Sequence, residues 1–328
     1  MKVSEIGEFG LIDILAEIAT GSRPRLLVDI GDDAAAWRCE AGVQLATTDA
    51  LVQDVHFTLS TATWREVGWK ALAVNLSDIA AMGGKPQYAL VSLALPGDTE
   101  VADMTELYQG MAEIAHLFEV AIAGGNVASA PVVIMSLMVL GSTAGNILTR
   151  SAAAPGDCIA VTGYLGSSAA GLTMLKKGLH LDEEASIYLR QAHLKPYPRI
   201  IEGQLLAQHG IRAAMDISDG LLADLSKVCQ ASKVGARIYA DRLPVHPLMR
   251  RSFDASCLSL ALSGGEDYEL LFTGKAEVVE DVRKVLPCPL SVIGEIVRGE
   301  PGQVTTFDEQ GKEIRLGQGG WDHFKEPA

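Results

Sequence analysis

Several stretches of this chain are apolar almost without a break, and single acids interrupt them. AVNLSDIAAM (73–82), YALVSLALP (88–96) and PVVIMSLMVLGS (131–142) are examples. Runs of this kind pack only where neighbours cover them, which calls for helices laid on sheets. The first half therefore reads as an α+β pattern with long buried strands. FGLIDILAEIA opens it with apolar residues at helical spacing. TWREVGWKALAVNLSDIAAMGG forms a long helix closed by Gly83 and Gly84, and VADMTELYQGMAEIAHLF forms another. RLLVDI, VQLATTDAL and VAIAGG read as strands, the last ending in a Gly124–Gly125 turn.

A joint falls near 142–157, where STAGNILTRSAAAPGD is rich in small and turn residues. With 328 residues the chain has room for two domains, and the division expected is 1–145 and 146–328. Beyond the joint, CIAVTGYLGSSAAGLTML reads as strand, glycine turn and helix. MDISDGLLADLSKVCQAS is a strand end feeding a helix, and LALSGGEDYELLFTG a glycine turn feeding a strand. The second half is α/β in character.

A net charge of −14 argues against nucleic-acid or membrane-surface partners, which want a basic patch. A protein this acidic binds phosphates only with the help of cations. The five cysteines are scattered with no CxxC pair, so they read as buried thiols of a reducing cytoplasm rather than a disulfide framework. MKVSEIGEFG lacks the apolar core of a signal peptide, and VVIMSLMVLG is too short to span a bilayer.

The acids carry the chemistry. Asp33 follows Asp32 in VDIGDDAAAW, where a solvated turn is the bland alternative. Asp78 shares a helix face with Asn75, and a buried hydrogen-bonding role competes with a functional one. Thr47, Thr48 and Asp49 end another strand with hard oxygen donors. Asp216 and Asp219 flank Ser218 between a strand and a helix; capping accounts for Ser218 or Asp219 but not for Asp216 as well. Acids at a strand end and a helix start, aimed at one spot, suit Mg²⁺. Glu266 follows Gly264–Gly265 in a tight turn, with Asp267 and Glu269 read as solvated. His56 in QDVHF, taken alone, reads as structural. There is no GxxxxGK[ST], no HRD or DFG set and no HExxH spacing, so P-loop, protein-kinase and zinc chemistry find no support. VTGYLGSSAAG looks superficially like a dinucleotide loop, but its glycine spacing is wrong.

Taken together and in order, GEFGLID, GDDAA, TTDALVQDVHF, KALAVNLSDIAAMGGKP, GGN, LTRSAAAPGDCIAVTGYLGSSAAGL, MDISDGLLADL, LSGGEDYELLFT and GWDHF resemble the thiamine-monophosphate kinases. That family sits in the superfamily of ATP-using synthetases that includes aminoimidazole ribonucleotide and selenophosphate synthetases. The resemblance implies two α/β domains, an N-terminal mixed-sheet domain that pairs in a homodimer, and a C-terminal α/β domain. It implies ATP in a cleft near the Gly124–Gly125 turn, and several Mg²⁺ ions held by Asp33, Thr47, Thr48, Asp49, Asp78, Asp216 and Asp219. Gly125, Asn126, Arg150 and Ser218 would meet ATP or its phosphates, and His56, Glu266 and Trp321 would meet thiamine monophosphate. Asn126 departs from the family's frequent Asp, which implies weaker metal or nucleotide binding there.

The activity implied is cytoplasmic transfer of the ATP γ-phosphoryl group to thiamine monophosphate, giving thiamine diphosphate. Alternatives are another ATP-dependent synthetase of the superfamily and a metal-dependent phosphohydrolase. Selenophosphate synthetase needs a reactive Cys or Sec near a lysine in its N-terminal segment, which this chain lacks.

Overall fold

The computed structural model describes residues 1–19, 26–28, 36–37 and 42–314. It separates into two compact units, residues 1–79 with 84–144 and residues 80–83 with 145–328.

The first unit runs α1 (Val3–Ala19), β1 (Leu26–Val28), β2 (Ala36–Trp37), β3 (Val43–Val52), α2 (Trp64–Ala81), β4 (Lys85–Leu95), α3 (Val101–Leu117), β5 (Ala121–Ser129) and β6 (Ile134–Thr143). Strands β1 and β2 pair with each other, and the other four form a sheet in the order β3-β6-β4-β5. The β4–β5 pair is parallel and the rest antiparallel. Strand residues alternate between faces. Leu45, Leu51, Val91, Leu93, Met135, Leu137 and Val139 are buried on one face. Helix α2 lies over that face: a Cβ added to Gly141 of β6 would come within 3.0 Å of Ile79 Cγ2. The opposite face carries Ala46, Thr48 and Ala50 of β3, Met138 of β6, Ser92 of β4 and Asn126 of β5, all exposed.

The Gly124–Gly125 pair is not a turn. Both glycines lie inside β5, just past a register shift at Ala89–Leu90 of β4. A Cβ at Gly125 would sit 1.9 Å from the Val91 carbonyl oxygen, so the glycine serves a close backbone approach between strands. Sequence punctuation could not separate this use of glycine from a turn, because both favour Gly-Gly.

The second unit runs β7 (Cys158–Thr162), α4 (Ser167–Lys177), α5 (Glu183–Leu194), α6 (Ile200–Gln208), β8 (Ala213–Asp216), α7 (Leu221–Ser232), β9 (Gly235–Tyr239), α8 (Pro247–Phe253), α9 (Cys257–Ser263), β10 (Leu270–Gly274), α10 (Ala276–Arg283), β11 (Leu290–Val297), β12 (Val304–Phe307) and β13 (Glu313–Ile314). Its seven-stranded sheet has the order β13-β12-β9-β11-β7-β10-β8. Only β9 and β12 run parallel. Ile159, Val161, Met215, Leu225, Val228, Ile238, Leu271 and Ile296 form its main core. Ala170, Met174, Leu189, Met249 and Cys257 form a second, among α4, α5, α8 and α9. Because β10 is antiparallel to both β7 and β8, the ends of β7 and β8 and the start of β10 meet at one edge of the sheet. Among the described residues Cys158, Cys229, Cys257 and Cys288 are free thiols, Cys229 and Cys257 buried and the other two partly exposed. Among the described residues no helix is long and apolar enough to cross a membrane.

Two glycines set the spacing of α2 and α3. A Cβ on Gly68 would meet the Leu107 carbonyl oxygen at 1.8 Å, and one on Gly110 would meet that of Arg65 at 1.9 Å. Gly68→Ala must therefore push the helices apart, with an expected loss of about 2 kcal/mol, the usual scale of overpacking. Urea unfolding checks this; a loss under about 0.5 kcal/mol, the range of neutral surface changes, would mean that the contact is not tight.

Candidate functional site

In the first unit, β3 and α2 bring three expected residues together. Thr47 Oγ1 donates to Asp78 Oδ2 at 2.5 Å. The backbone N–H of Asp49 donates to Asn75 Oδ1 at 3.0 Å. Asn75 is fully buried and its amide donates to the Ala71 carbonyl oxygen at 3.1 Å. Asn75 thus has the hydrogen-bonding role that its sequence context allowed. It anchors the strand so that Thr47 and Asp49 stand over Asp78. Partial burial, and then the charge of Asp78, push the Asp49 carboxyl up to about 6.

Thr48 falls elsewhere. Alternation puts it on the opposite face of β3, opposite Met138 in the register. Asn126 shares that face and pairs with Ser92. His56 sits half-buried just after β3, and its Nδ1 accepts the Val52 N–H at 3.0 Å. In the neutral ring this places the proton on Nε2, which makes that nitrogen a hydrogen-bond donor.

In the second unit, the segment after β8 and the segment before β10 lie against each other. Asp216 is buried at the end of β8. The N–H of Glu266 donates to the Ser218 carbonyl oxygen at 2.8 Å, and that of Tyr268 to Ile217 at 2.9 Å. A Cβ on Gly265 would sit 2.5 Å from the Ser218 oxygen. Asp216, Ser218, Asp219 and Glu266 therefore belong to one edge of this unit. Arg150 is exposed, and its carbonyl oxygen accepts from Ser232 Oγ at 2.8 Å. Asp33 and Trp321 lie outside the described residues.

Three readings change. First, Ser218 and Asp219 do not cap α7; Gly220 is the N-cap residue, with no side-chain cap. The capping runs backwards from Asp224 inside the helix. Its Oδ2 accepts the N–H groups of Ser218, Asp219 and Gly220 at 3.0, 2.9 and 3.1 Å. Lys227 then bonds Asp224 Oδ1 at 2.8 Å and Asp219 Oδ2 at 2.5 Å. Burial pushes the Asp224 carboxyl up, and Lys227 pulls it back. Second, Glu269 is not solvated. It is buried and takes two bonds from Arg199, at 2.7 and 2.5 Å, and one from Thr162 at 2.6 Å. Third, Asp267 is not a free surface acid. Its carboxylate accepts the Gly166 N–H at 2.6 Å and the Ser168 N–H at 3.2 Å at the start of α4. Burial pushes it up to about 8, against the pull of those two N–H groups. The N–H groups at the start of α4 are thus taken by the chain's own carboxylate.

Sequence reasoning misses Asp224 and Lys227, although a signal is present: an acid in the first turn of a helix and a lysine three residues on. His193 and Arg199 carry no local signal, since their partners are distant in sequence.

The donors of each group fit a hard cation: Thr47, Asp49 and Asp78 are all oxygen donors, and so are Asp216 and Asp219. The mutual push of Asp49 and Asp78 is the kind of strain that a divalent ion relieves. Among the described residues no group of three or more His, Cys, Asp or Glu side chains is gathered to hold a metal ion.

Removing the Asp224 carboxylate should unravel the loop that carries Ser218 and Asp219. Asp224→Ala strands three N–H groups and is expected to lower stability by about 3 kcal/mol, while Asp224→Asn, which keeps an oxygen, costs clearly less. Denaturant melts of both variants check this. If both match the parent chain, Asp224 does not shape the loop.

The AIR synthase related protein N-terminal domain matches residues 31–143, and the corresponding C-terminal domain matches residues 154–306. Thiamine-monophosphate kinase of Bacillus subtilis (strain 168) is 37% identical over 307 residues, 91% of this chain and 94% of that protein. The crystal structure of thiamine-monophosphate kinase from Stenotrophomonas maltophilia K279a superposes with a TM-score of 0.82 at 33% identity, covering 94% of this chain and 98% of that one. AaThiL complexed with AMPPCP and TMP superposes with a TM-score of 0.77 at 34% identity, covering 99% of each chain.

Proposed function

The chain belongs to the AIR synthase related family and, within it, to the thiamine-monophosphate kinases, and from that premise we propose that it transfers the γ-phosphoryl group of ATP to thiamine monophosphate, forming thiamine diphosphate and ADP in thiamine diphosphate biosynthesis. The observation that carries this is the near full-length similarity to kinases of that name, together with a related structure that holds AMPPCP and TMP. Both substrates assign the activity to the cytoplasm.

An oxygen of the acceptor phosphate attacks the γ-phosphorus, and the bond to the β–γ bridging oxygen breaks with its electron pair going to ADP. The acceptor's second pKa is about 6, so it is largely ionised at neutral pH and needs no general base. This fits a site built of carboxylates, hydroxyls and N–H donors. Mg²⁺, when bound, supplies the positive charge that lets two polyanions meet. Thr47, Asp49 and Asp78 are residues that would hold it, as are Asp216, Asp219 and Asp33; Thr48 stands on the opposite face of β3 from the first three and is left out of that set. Asn126 lies on the same far face of the sheet as Thr48 and so stands apart from Thr47, Asp49 and Asp78. Gly125 and the Ser218 hydroxyl would meet ATP, and the exposed Arg150 guanidinium suits a phosphate. The Nε2–H of His56 suits the acceptor phosphate. Glu266 and Trp321 suit the cationic thiazolium ring.

Incubating the protein with Mg-ATP and thiamine monophosphate tests the reading. ADP and thiamine diphosphate should appear in equal amounts, only with the acceptor and Mg²⁺, and Asp78→Asn should lower turnover at least a hundredfold, as losses of transition-state electrostatics do, with little change in melting temperature. ADP and free phosphate without thiamine diphosphate would refute the kinase assignment.

The uncovered sheet face supports a homodimer. Ala46, Ala50 and Met138 lie on it, Met138 being 43% exposed, and charged side chains are absent from its β3 and β6 positions. An exposed face that sets Ala46, Ala50 and Met138 beside the uncharged Thr48, Ser92 and Asn126 is suited to a second copy of itself. Met138→Glu should convert the dimer to a monomer in light scattering; a parent chain that is already monomeric would overturn the assignment.

A further inference from the structure

Glu266 is held in a conformation that a glutamate does not choose. Its φ is 66°, and that of Tyr268 is 51°, both in the left-handed region that disfavours residues with a Cβ. Such strain persists only where the surroundings over-determine it, and it gathers at functional sites. The surroundings here act from three sides. The Glu266 and Tyr268 N–H groups are tied to Ser218 and Ile217. The Asp267 carboxylate between them is pinned to the first turn of α4.

The third restraint is His193 of α5, which is 5% exposed. Its Nδ1 lies 3.4 Å from Glu266 Oε2 and 3.1 Å from Ser168 Oγ. The ring reaches this point because α5 presses onto α4 at a glycine. A Cβ on Gly171 would meet the Leu189 carbonyl oxygen at 2.1 Å and His193 Cβ at 3.0 Å. Serine, histidine and glutamate in mutual reach invite comparison with a hydrolytic triad, but the geometry refuses it. A triad needs the serine and the acid on opposite ring nitrogens, whereas here both address Nδ1. Ser168 is also fully buried. What remains is a ring nitrogen at ion-pair distance from the carboxylate and within hydrogen-bond reach of the Ser168 hydroxyl, which restricts where that carboxylate can lie. The Glu266 side chain keeps 31% exposure, so it is fixed and still faces outward.

We infer that His193 is a positioning residue for the acceptor: through Nδ1 it locks the strained Glu266 carboxylate where it meets the cationic ring of thiamine monophosphate. This rests on the proposed role of Glu266 at the acceptor. A carboxylate held rigidly before binding loses less freedom when the cation arrives, so the effect belongs to acceptor affinity and not to ATP.

The test uses the full-length chain, with calorimetric binding of thiamine monophosphate and steady-state kinetics for both substrates. His193→Phe keeps the ring volume but removes the donor. It is expected to raise the acceptor Kd and KM about tenfold, the scale of one hydrogen bond to a charged group, with the KM for ATP within about twofold. His193→Gln, which can still donate, should recover most of the loss; it carries the test if the phenylalanine variant folds poorly. In a Glu266→Gln background, replacing His193 should add nothing further, because His193 acts through Glu266. If Glu266→Gln weakens acceptor binding and neither His193 variant does, the inference fails while the role of Glu266 stands. If Glu266→Gln leaves acceptor binding unchanged, the role of Glu266 fails and takes the inference with it. Losses that multiply in the double variant, or that strike both substrates alike, would make His193 a structural residue and overturn the inference.

Discussion

One buried carboxylate shapes the edge of the second unit. Asp224 has no exposure, and one of its oxygens gathers three consecutive N–H groups from the loop after β8. Turning three donors inward fixes the backbone of Ser218, Asp219 and Gly220. The carbonyl of Ser218 then faces the Glu266 segment and receives its N–H. The strained turn before β10 is built on that carbonyl, and the start of α4 closes it through Asp267. Loss of Asp224 would therefore be felt two loops away, with no contact between Asp224 and Glu266 required. The geometry is preorganised by backbone hydrogen bonds, and such sites need no rearrangement when charge arrives.

Much of this organisation is legible in the sequence, for a physical reason. Acids that interrupt apolar elements must be satisfied by something, so Asp49, Asp78, Asp216 and Asp219 stand out from the residue pattern alone. The long helices and apolar strands follow from periodicity. Glycine is ambiguous. Gly124 and Gly125 read as a turn and prove to be a close strand contact, while Gly171 and Gly68 carry no distinctive pattern and prove to set helix spacing. What the sequence hides are partnerships across distance. The fork from Arg199 to Glu269 joins residues 70 apart, and the bond from Thr162 to Glu269 joins residues 107 apart. A local reading assigns Glu269 and Asp267 to solvent because charged residues are rarely buried without a partner, and the partners are invisible until the sheet forms. The alternation that puts Thr48 opposite Thr47 is in principle legible, but adjacent hydroxyls in one motif suggest a common role.

The two acid groups differ in electrostatic kind. In the second unit Asp219 and Asp224 already face an ammonium, that of Lys227. Their repulsion is partly answered within the chain, and the loop is stable in its shape before any ligand binds. In the first unit burial and Asp78 push the Asp49 carboxyl in the same direction. A protein gains little fold stability from holding two carboxylates this way, since removing one would relieve the other. Such an arrangement is one whose repulsion a bound cation would relieve. With 41 acidic against 27 basic side chains, the chain has few fixed cations to spare for two anionic phosphates.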